Sequence, residues 1–280
     1  MEKVAVITGA SSGIGLLTTL ELASKGYRVV ATMRDLGRRT SLDEAAAKTG
    51  VSSQLDIRQL DITDFDIVPA AVEAIIGNYG RIDLLVNNAG FAMAGFAEDV
   101  RLKDLRAQFD TNFFGHVNMT KAVLPTMRAQ RSGHIIMISS VSGRAGQPGV
   151  SSYAASKFAL EGWSEALRIE MKPLGINVVL VEPGAFKTDI WDRNVRIPPP
   201  AISEISPNRE RVRKYAEFVQ NEIVKRDARE VARLIARIAM EPEPRLRYMI
   251  GNDAFGQLLF RAILPWKIYE RIVARKMGID

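Results

Sequence analysis

Seven short runs rich in Val, Ile, Leu and Met recur along the chain, at 3–8, 28–33, 54–61, 83–90, 134–140, 177–184 and 247–251. Most are continuously apolar rather than alternating, the pattern of strands buried on both faces of a parallel sheet. The stretches between them have room for crossover helices. Residues 15–26, GLLTTLELASKG, place apolar side chains at helical spacing and end on a glycine suited to a C-terminal cap. Residues 152–175, SYAASKFALEGWSEALRIEMKPLG, read as a helix that stops near Pro173 and Gly175. Strand–helix alternation from end to end predicts a doubly wound α/β sheet. Three consecutive prolines cannot continue a helix, so 196–210, RIPPPAISEISPNRE, reads as an irregular insertion beside the site.

The 280 residues are 47% hydrophobic and 25% charged, which suits a globular chain with a substantial core. The charge is unevenly placed. From Pro207 onward 16 Lys and Arg face 10 Asp and Glu, so this segment carries the whole net +6 and the first 206 residues are neutral. The excess is modest and no aromatic-basic platform accompanies it, which argues against nucleic-acid binding. With no cysteine there are no disulfides, thiol chemistry or cysteine-ligated metal. His116 and His134 are expected on a helix surface and at a strand start, no carboxylates cluster at ligand spacing, and no metal is expected. No apolar run reaches the roughly 18–20 residues of a membrane span. MEKVAVITGA lacks a signal-peptide pattern, so a cytoplasmic location is expected.

In an open α/β sheet, ligands bind outside the carboxyl ends of the strands. The first predicted strand runs into TGASSGIG (8–15), whose Gly9, Gly13 and Gly15 follow G-x-x-x-G-x-G rather than the commoner G-x-G-x-x-G. The second leads to Arg34, the third to Asp61, the fourth to NNAG (87–90), the fifth to Ser139 and Ser140, and the sixth to Pro183 and Gly184. Turn chemistry accounts for part of this set. YAASK (153–157) puts Tyr153 and Lys157 four residues apart, on one helical face. A nearby ammonium favours phenolate over a phenol that normally titrates near 10. Such a tyrosine could exchange a proton with an alcohol oxygen near neutral pH, and Ser140 could hydrogen-bond the same oxygen.

Taken in order, TGASSGIG, NNAG, NFFG (112–115), ISSVSG (138–143), YAASK and the PG at 183–184 resemble the short-chain dehydrogenase/reductase family over about residues 3–188. The resemblance implies a single Rossmann-like domain over 1–280, with seven parallel strands in the order 3-2-1-4-5-6-7 and helices on both faces. It also implies reversible hydride transfer between NAD(P)(H) and an alcohol or carbonyl. It makes Tyr153 the proton donor or acceptor. Lys157 lowers its pKa and binds the nicotinamide ribose, Ser140 orients the substrate oxygen, and Asn112 helps organise a relay water. A helix-kinking or backbone-bonding asparagine is compatible with that last role. Cofactor contacts are implied at Gly9, Ser11, Ser12, Gly13, Ile14 and Gly15, and at Arg34, Asp61 and Ile62. Others fall at Asn88, Ala89, Gly90, Tyr153 and Lys157, and at Pro183, Gly184, Phe186 and Thr188.

NAD-preferring enzymes place an acid at the end of the second strand to bind the ribose hydroxyl. Here Met33 occupies that position and Arg34 follows, a guanidinium suited to a 2′-phosphate. NADP(H) is therefore expected over NAD(H), with Asp35 as the residue that would weaken the reading if it turned inward. An NAD-preferring dehydrogenase and a non-catalytic dinucleotide-binding redox sensor stand as alternatives. Residues 190–225, including Trp191, occupy the place of a variable substrate-binding loop, with 91–96 and 143–152 as further walls. Few charges fall near Tyr153, so a small hydrophobic carbonyl or alcohol is the expected substrate, and a homodimer or homotetramer the expected assembly. The C-terminal extension 254–280 mixes large apolar groups with Arg and Lys and is broken at Pro265. It has three open readings: packing on the body or a partner subunit, a lid over the substrate pocket, or a basic amphipathic helix on a membrane surface.

Overall fold

The apolar runs form β1 (Val4–Thr8), β2 (Arg28–Met33), β3 (Leu55–Gln59), β4 (Leu84–Asn87), β6 (Gly133–Ile138), β7 (Ile176–Pro183) and β11 (Arg247–Ile250). Two-residue strands lie between: β5 (Ala92–Met93), β8 (Phe186–Lys187), β9 (Val195–Arg196) and β10 (Arg226–Asp227). The computed structural model describes residues 2–188, 190, 194–221 and 226–277. The seven longer strands make one parallel sheet in the order β3-β2-β1-β4-β6-β7-β11. Counted over that sheet alone, this is the succession the sequence implies.

Successive side chains of a strand point to opposite faces, and here both faces are apolar. On one face Val29, Ala31, Ile7 and Val179 meet α1 (Gly13–Ser24), α2 (Thr40–Thr49) and α8 (Arg229–Ile238) through Leu22, Leu42, Val231 and Ile235. On the other, Val6, Leu85, Ile135 and Val178 meet α3 (Ile67–Tyr79), α5 (Gly115–Gln130) and α6 (Ser151–Met171) through Val72, Val123 and Leu160. Each such side chain contributes roughly 1.5–3 kcal/mol by leaving water. The predicted helix at 152–175 is α6 followed by a 3₁₀ turn over Lys172–Leu174.

Three further features sit above the carboxyl ends of the strands. α4 (Leu102–Phe109) runs into α5 through a single π-turn, Asp110–Phe114. The segment after β7 returns over the sheet, where β9 pairs with β5 and β8 with β10, and α7 (Arg209–Asn221) lies between β9 and β10 in the chain. The C-terminal extension is two helices, α9 (Asn252–Ile263) and α10 (Trp266–Lys276), separated at Pro265 as the sequence predicts. Gln147 Nε2 donates to Gln257 Oε1 at 2.9 Å, tying α9 to the loop after β6.

Candidate active site

A cavity of about 490 Å³ runs along these strand ends. At its centre, β1 turns sharply at Gly9, whose φ of +69° is costly for any residue with a Cβ. A Cβ at Gly15 would collide with the Gly9 carbonyl and the Asn88 amide. That close fit is held from the β4 side: Asn88 Nδ2 donates to Thr8 O at 2.8 Å and Gly9 O at 3.1 Å. Thr8 Oγ1 accepts from Asn88 N and Ala89 N, each at 3.0 Å. Ser12 caps α1 without a side-chain bond, and the first intrahelical donor is Leu16, to Ser12 O. The N–H groups of the first turn therefore remain for an anion, reinforced by the helix dipole. Gly9, Ser11, Ser12, Gly13 and Ile14 line the cavity, and Gly15 lies beneath them. This turn fits a dinucleotide diphosphate.

One end of the cavity is basic. Arg34 and Arg38 line it, whereas Arg39 turns away to pair with Asp43 at 2.7 Å. Asp35 uses Oδ1 to accept from Gly37 N at 2.9 Å, closing its own turn. Asp61, beside Ile62, accepts from Thr63 N and Oγ1 at 3.0 and 2.8 Å, which fixes the carboxylate at the end of β3.

At the other end, Ser140, Tyr153 and Lys157 line the same cavity. Ser140 begins a 3₁₀ turn and its hydroxyl accepts from Ser142 N at 3.1 Å. The Tyr153 and Ser140 hydroxyls are hydrogen-bonded to each other. Lys157 Nζ lies 5.8 Å from the Tyr153 ring centroid and donates to Ile138 O at 2.7 Å. The electrostatics depart from the expected acidic phenol. Burial pushes Tyr153 up to about 12, with the Ser140 bond acting in the opposite sense. Burial pushes Lys157 down to about 8, opposed by the Glu161 carboxylate one turn further along α6. Desolvation thus outweighs the tyrosine–ammonium attraction read from the spacing. Glu161 itself, pushed up to about 7 chiefly by burial, meets Arg247 at 3.1 Å. Arg247 also holds the buried Glu182 at 3.0 Å, which Arg144 reaches at 3.3 Å.

Pro183, Gly184, Phe186 and Thr188 bring the end of β7 to the cavity, as do Asn88, Ala89 and Gly90 from β4. Asn112 stands behind the wall in the π-turn, fully buried. Its amide donates to Phe91 O at 3.0 Å and its carbonyl accepts from Phe91 N at 3.2 Å. The structure gives it a backbone-bonding role. His116 is a correction: expected on a helix surface, it is fully buried in α5, against Ala89 O at 2.7 Å. Burial pushes its pKa down to about 3, so the ring is neutral. The π-turn rotates α5 so that this position faces the NNAG loop, which helical periodicity alone does not reveal. Among the described residues no three His, Asp or Glu side chains converge as a metal site.

Sequence reasoning missed Arg196, which lines the cavity from β9 with its guanidinium carbon 3.9 Å from the Phe91 ring centroid. Its only sequence signal is a lone arginine before three prolines. Trp191, expected in the substrate wall, lies outside the described residues. Behind Tyr153 a buried apolar cluster packs against it: Ala92, Val150, Tyr215 and Met277, joined by Val273 and by Ile190, which also lines the cavity.

The short chain dehydrogenase family model matches residues 3–196, and the chain belongs to that family. It is 42% identical to the uncharacterized oxidoreductase YusZ of Bacillus subtilis, over 99% of both chains. It is 46% identical to human retinol dehydrogenase 8 over 67% of this chain and 60% of that one. It is also 38% identical to 3-ketodihydrosphingosine reductase of Bacteroides thetaiotaomicron, covering 94% and 93%. A short-chain dehydrogenase from Streptomyces avermitilis superposes with a TM-score of 0.83 at 32% identity, covering 100% and 98%. A Burkholderia phymatum member in complex with NAD gives 0.80 at 27%, covering 93% of each chain. A metagenomic member in complex with NADP gives 0.68 at 26%, covering 89% and 96%. The chain is thus an oxidoreductase of CH–OH or C=O groups that uses a nicotinamide cofactor.

Proposed function

We propose that the chain is an NADP(H)-dependent oxidoreductase of hydrophobic alcohols or carbonyls. Residues 190–225 form its substrate-binding loop, 254–280 its C-terminal helical extension, and it works as a homodimer or homotetramer. The observation that carries the reading is one cavity joining three things: the open first turn of α1, the exposed Arg34 at the end of β2, and the bonded Tyr153–Ser140 hydroxyls. The apolar side chains of Phe91, Phe186 and Ile190 in the cavity lining support a lipophilic substrate, as do the retinol and ketodihydrosphingosine in the relatives' names.

A bound nicotinamide supplies or accepts the hydride. Ser140 holds the substrate oxygen, and Tyr153 donates its proton to that oxygen in reduction or takes it in oxidation. A phenol pushed up to about 12 is fully protonated at neutral pH, ready to act as the acid. Lys157 stabilises the phenolate left behind and binds the ribose, and Asn112 fixes the Phe91 backbone beside them.

Tyr153→Phe tests this. With NADPH and a lipophilic ketone, turnover falls roughly a thousandfold, while NADPH affinity measured by fluorescence titration is unchanged. A variant that keeps most of its rate would remove Tyr153 as the proton carrier. A redox sensor without turnover would show no reaction in the wild type.

A further inference from the structure

We infer that Arg196 and Arg34, one on each wall of the cavity, close together on the 2′-phosphate of NADP(H). This rests on the coenzyme preference proposed above and adds a second specificity-determining cation, carried by the segment that covers the substrate side.

Arg196 is built into place. Its strand pairs with β5 in the register Met93↔Arg196, and Ala94 N donates to Arg196 O at 2.9 Å. Its guanidinium lies 3.9 Å from the centroid of Phe91, a buried ring whose backbone is held by Asn112 and by Gln108, which donates to Phe91 O at 2.8 Å. Stacking occupies one face of the guanidinium and leaves its in-plane N–H fork free for an oxyanion.

Among the described residues no carboxylate forms an ion pair with Arg196 or with Arg34. The carboxylates that act on Arg196 do so at a distance, and each is engaged elsewhere: Asp104 with Arg101 at 2.6 Å, Asp61 with Thr63. Burial and the charge of Arg34 both push the Arg196 pKa down. Two guanidinium groups held within electrostatic reach across a cleft repel each other, and an anion between them converts that repulsion into two attractions.

The position selects the anion. Arg34 and Asp61 stand at the ends of β2 and β3, away from the first turn of α1 that receives the diphosphate. The group left for the two arginines is the ribose phosphomonoester, which carries roughly −1.5 to −2 charge near neutral pH. NADH has only a hydroxyl there.

The test is equilibrium titration of NADPH, NADH and 2′,5′-ADP into the wild type, Arg196→Met, Arg34→Ala and the double variant. Methionine keeps an apolar stem over Phe91, and unchanged melting of the free protein verifies the fold. Arg196→Met is expected to weaken NADPH and 2′,5′-ADP by about tenfold or more and leave NADH almost unchanged. The double variant should lose less than the two single losses combined, because both side chains act on one phosphate. Equal weakening of NADPH and NADH would assign Arg196 to the diphosphate and overturn the inference. So would a silent Arg196→Met beside a selective Arg34→Ala, with the coenzyme preference left standing. A wild type that binds NADH as tightly as NADPH would overturn both.

Discussion

Tyr153 and Lys157 share one face of α6, and burial drives both toward their neutral forms. The pairing was legible because four residues make a helical turn. The depth was not, since it depends on Tyr215, Met277 and the loop after β6 closing over the helix. That depth has a consequence for stability. A lysine whose pKa falls from 10.5 to about 8 on folding binds fewer protons in the native than in the unfolded state between those values. Stability from this group therefore rises with pH across that window and is lost again as pH falls toward 8. Relative to Lys157→Met, the wild type is expected to gain about 3 kcal/mol from pH 8 to 10.5. Urea unfolding at stepped pH measures it. The Tyr153 titration, which acts in the opposite sense above pH 10, is common to both proteins and drops out of the difference. A pH-independent difference would mean that Lys157 is not desolvated.

Elements decide what the side chains can reach. The sheet and its order were readable because continuous apolar runs admit few arrangements other than a parallel sheet covered twice. The glycine turn and the NNAG loop were readable as motifs, and the Asn88 bonds to Thr8 and Gly9 show why they occur together. The π-turn was not readable: NFFG gives no local sign of the extra residue that buries Asn112 and swings His116 inward. Nor was the β5–β9 pairing, which joins segments far apart in sequence through two residues each. These two elements meet at Phe91, so Asn112 supports the ring on which Arg196 rests. Asn112→Leu leaves the buried Phe91 N–H without its acceptor, while Gln108 still serves the carbonyl. The expected cost is about 1–3 kcal/mol in urea unfolding, together with weaker coenzyme binding. A variant of unchanged stability that loses only turnover would place the weight on the relay role instead.

Across the whole molecule, the glycine turn and the apolar packing behind Tyr153 come from opposite ends of the chain. The glycine turn lies at the start, whereas the buried cluster behind Tyr153 includes Val273 of α10 and Met277 just after it. In the C-terminal extension Val273 and Met277 pack against Tyr153, and Gln257 bonds Gln147. Phe255, Leu259, Phe260 and Ile263 of α9 nevertheless stay exposed, so the extension also presents an apolar outer face. The sequence could not place it, because amphipathic helices with basic residues look alike whether they cover a pocket, a subunit or a lipid surface. Met277 tests the link between the two ends. It is buried against Tyr153 and is not among the residues lining the strand-end cavity, so shortening it should disturb the seating of Tyr153 and not the coenzyme contacts. Met277→Ala leaves a void in that cluster, at an expected cost of about 2–5 kcal/mol in urea unfolding. Turnover is expected to fall by a similar factor for long-chain, ring-containing and small ketones, with no change in NADPH affinity. Steady-state kinetics over a graded series of ketones reads this directly. A rise in KM confined to the larger ketones would show instead that Met277 meets the substrate.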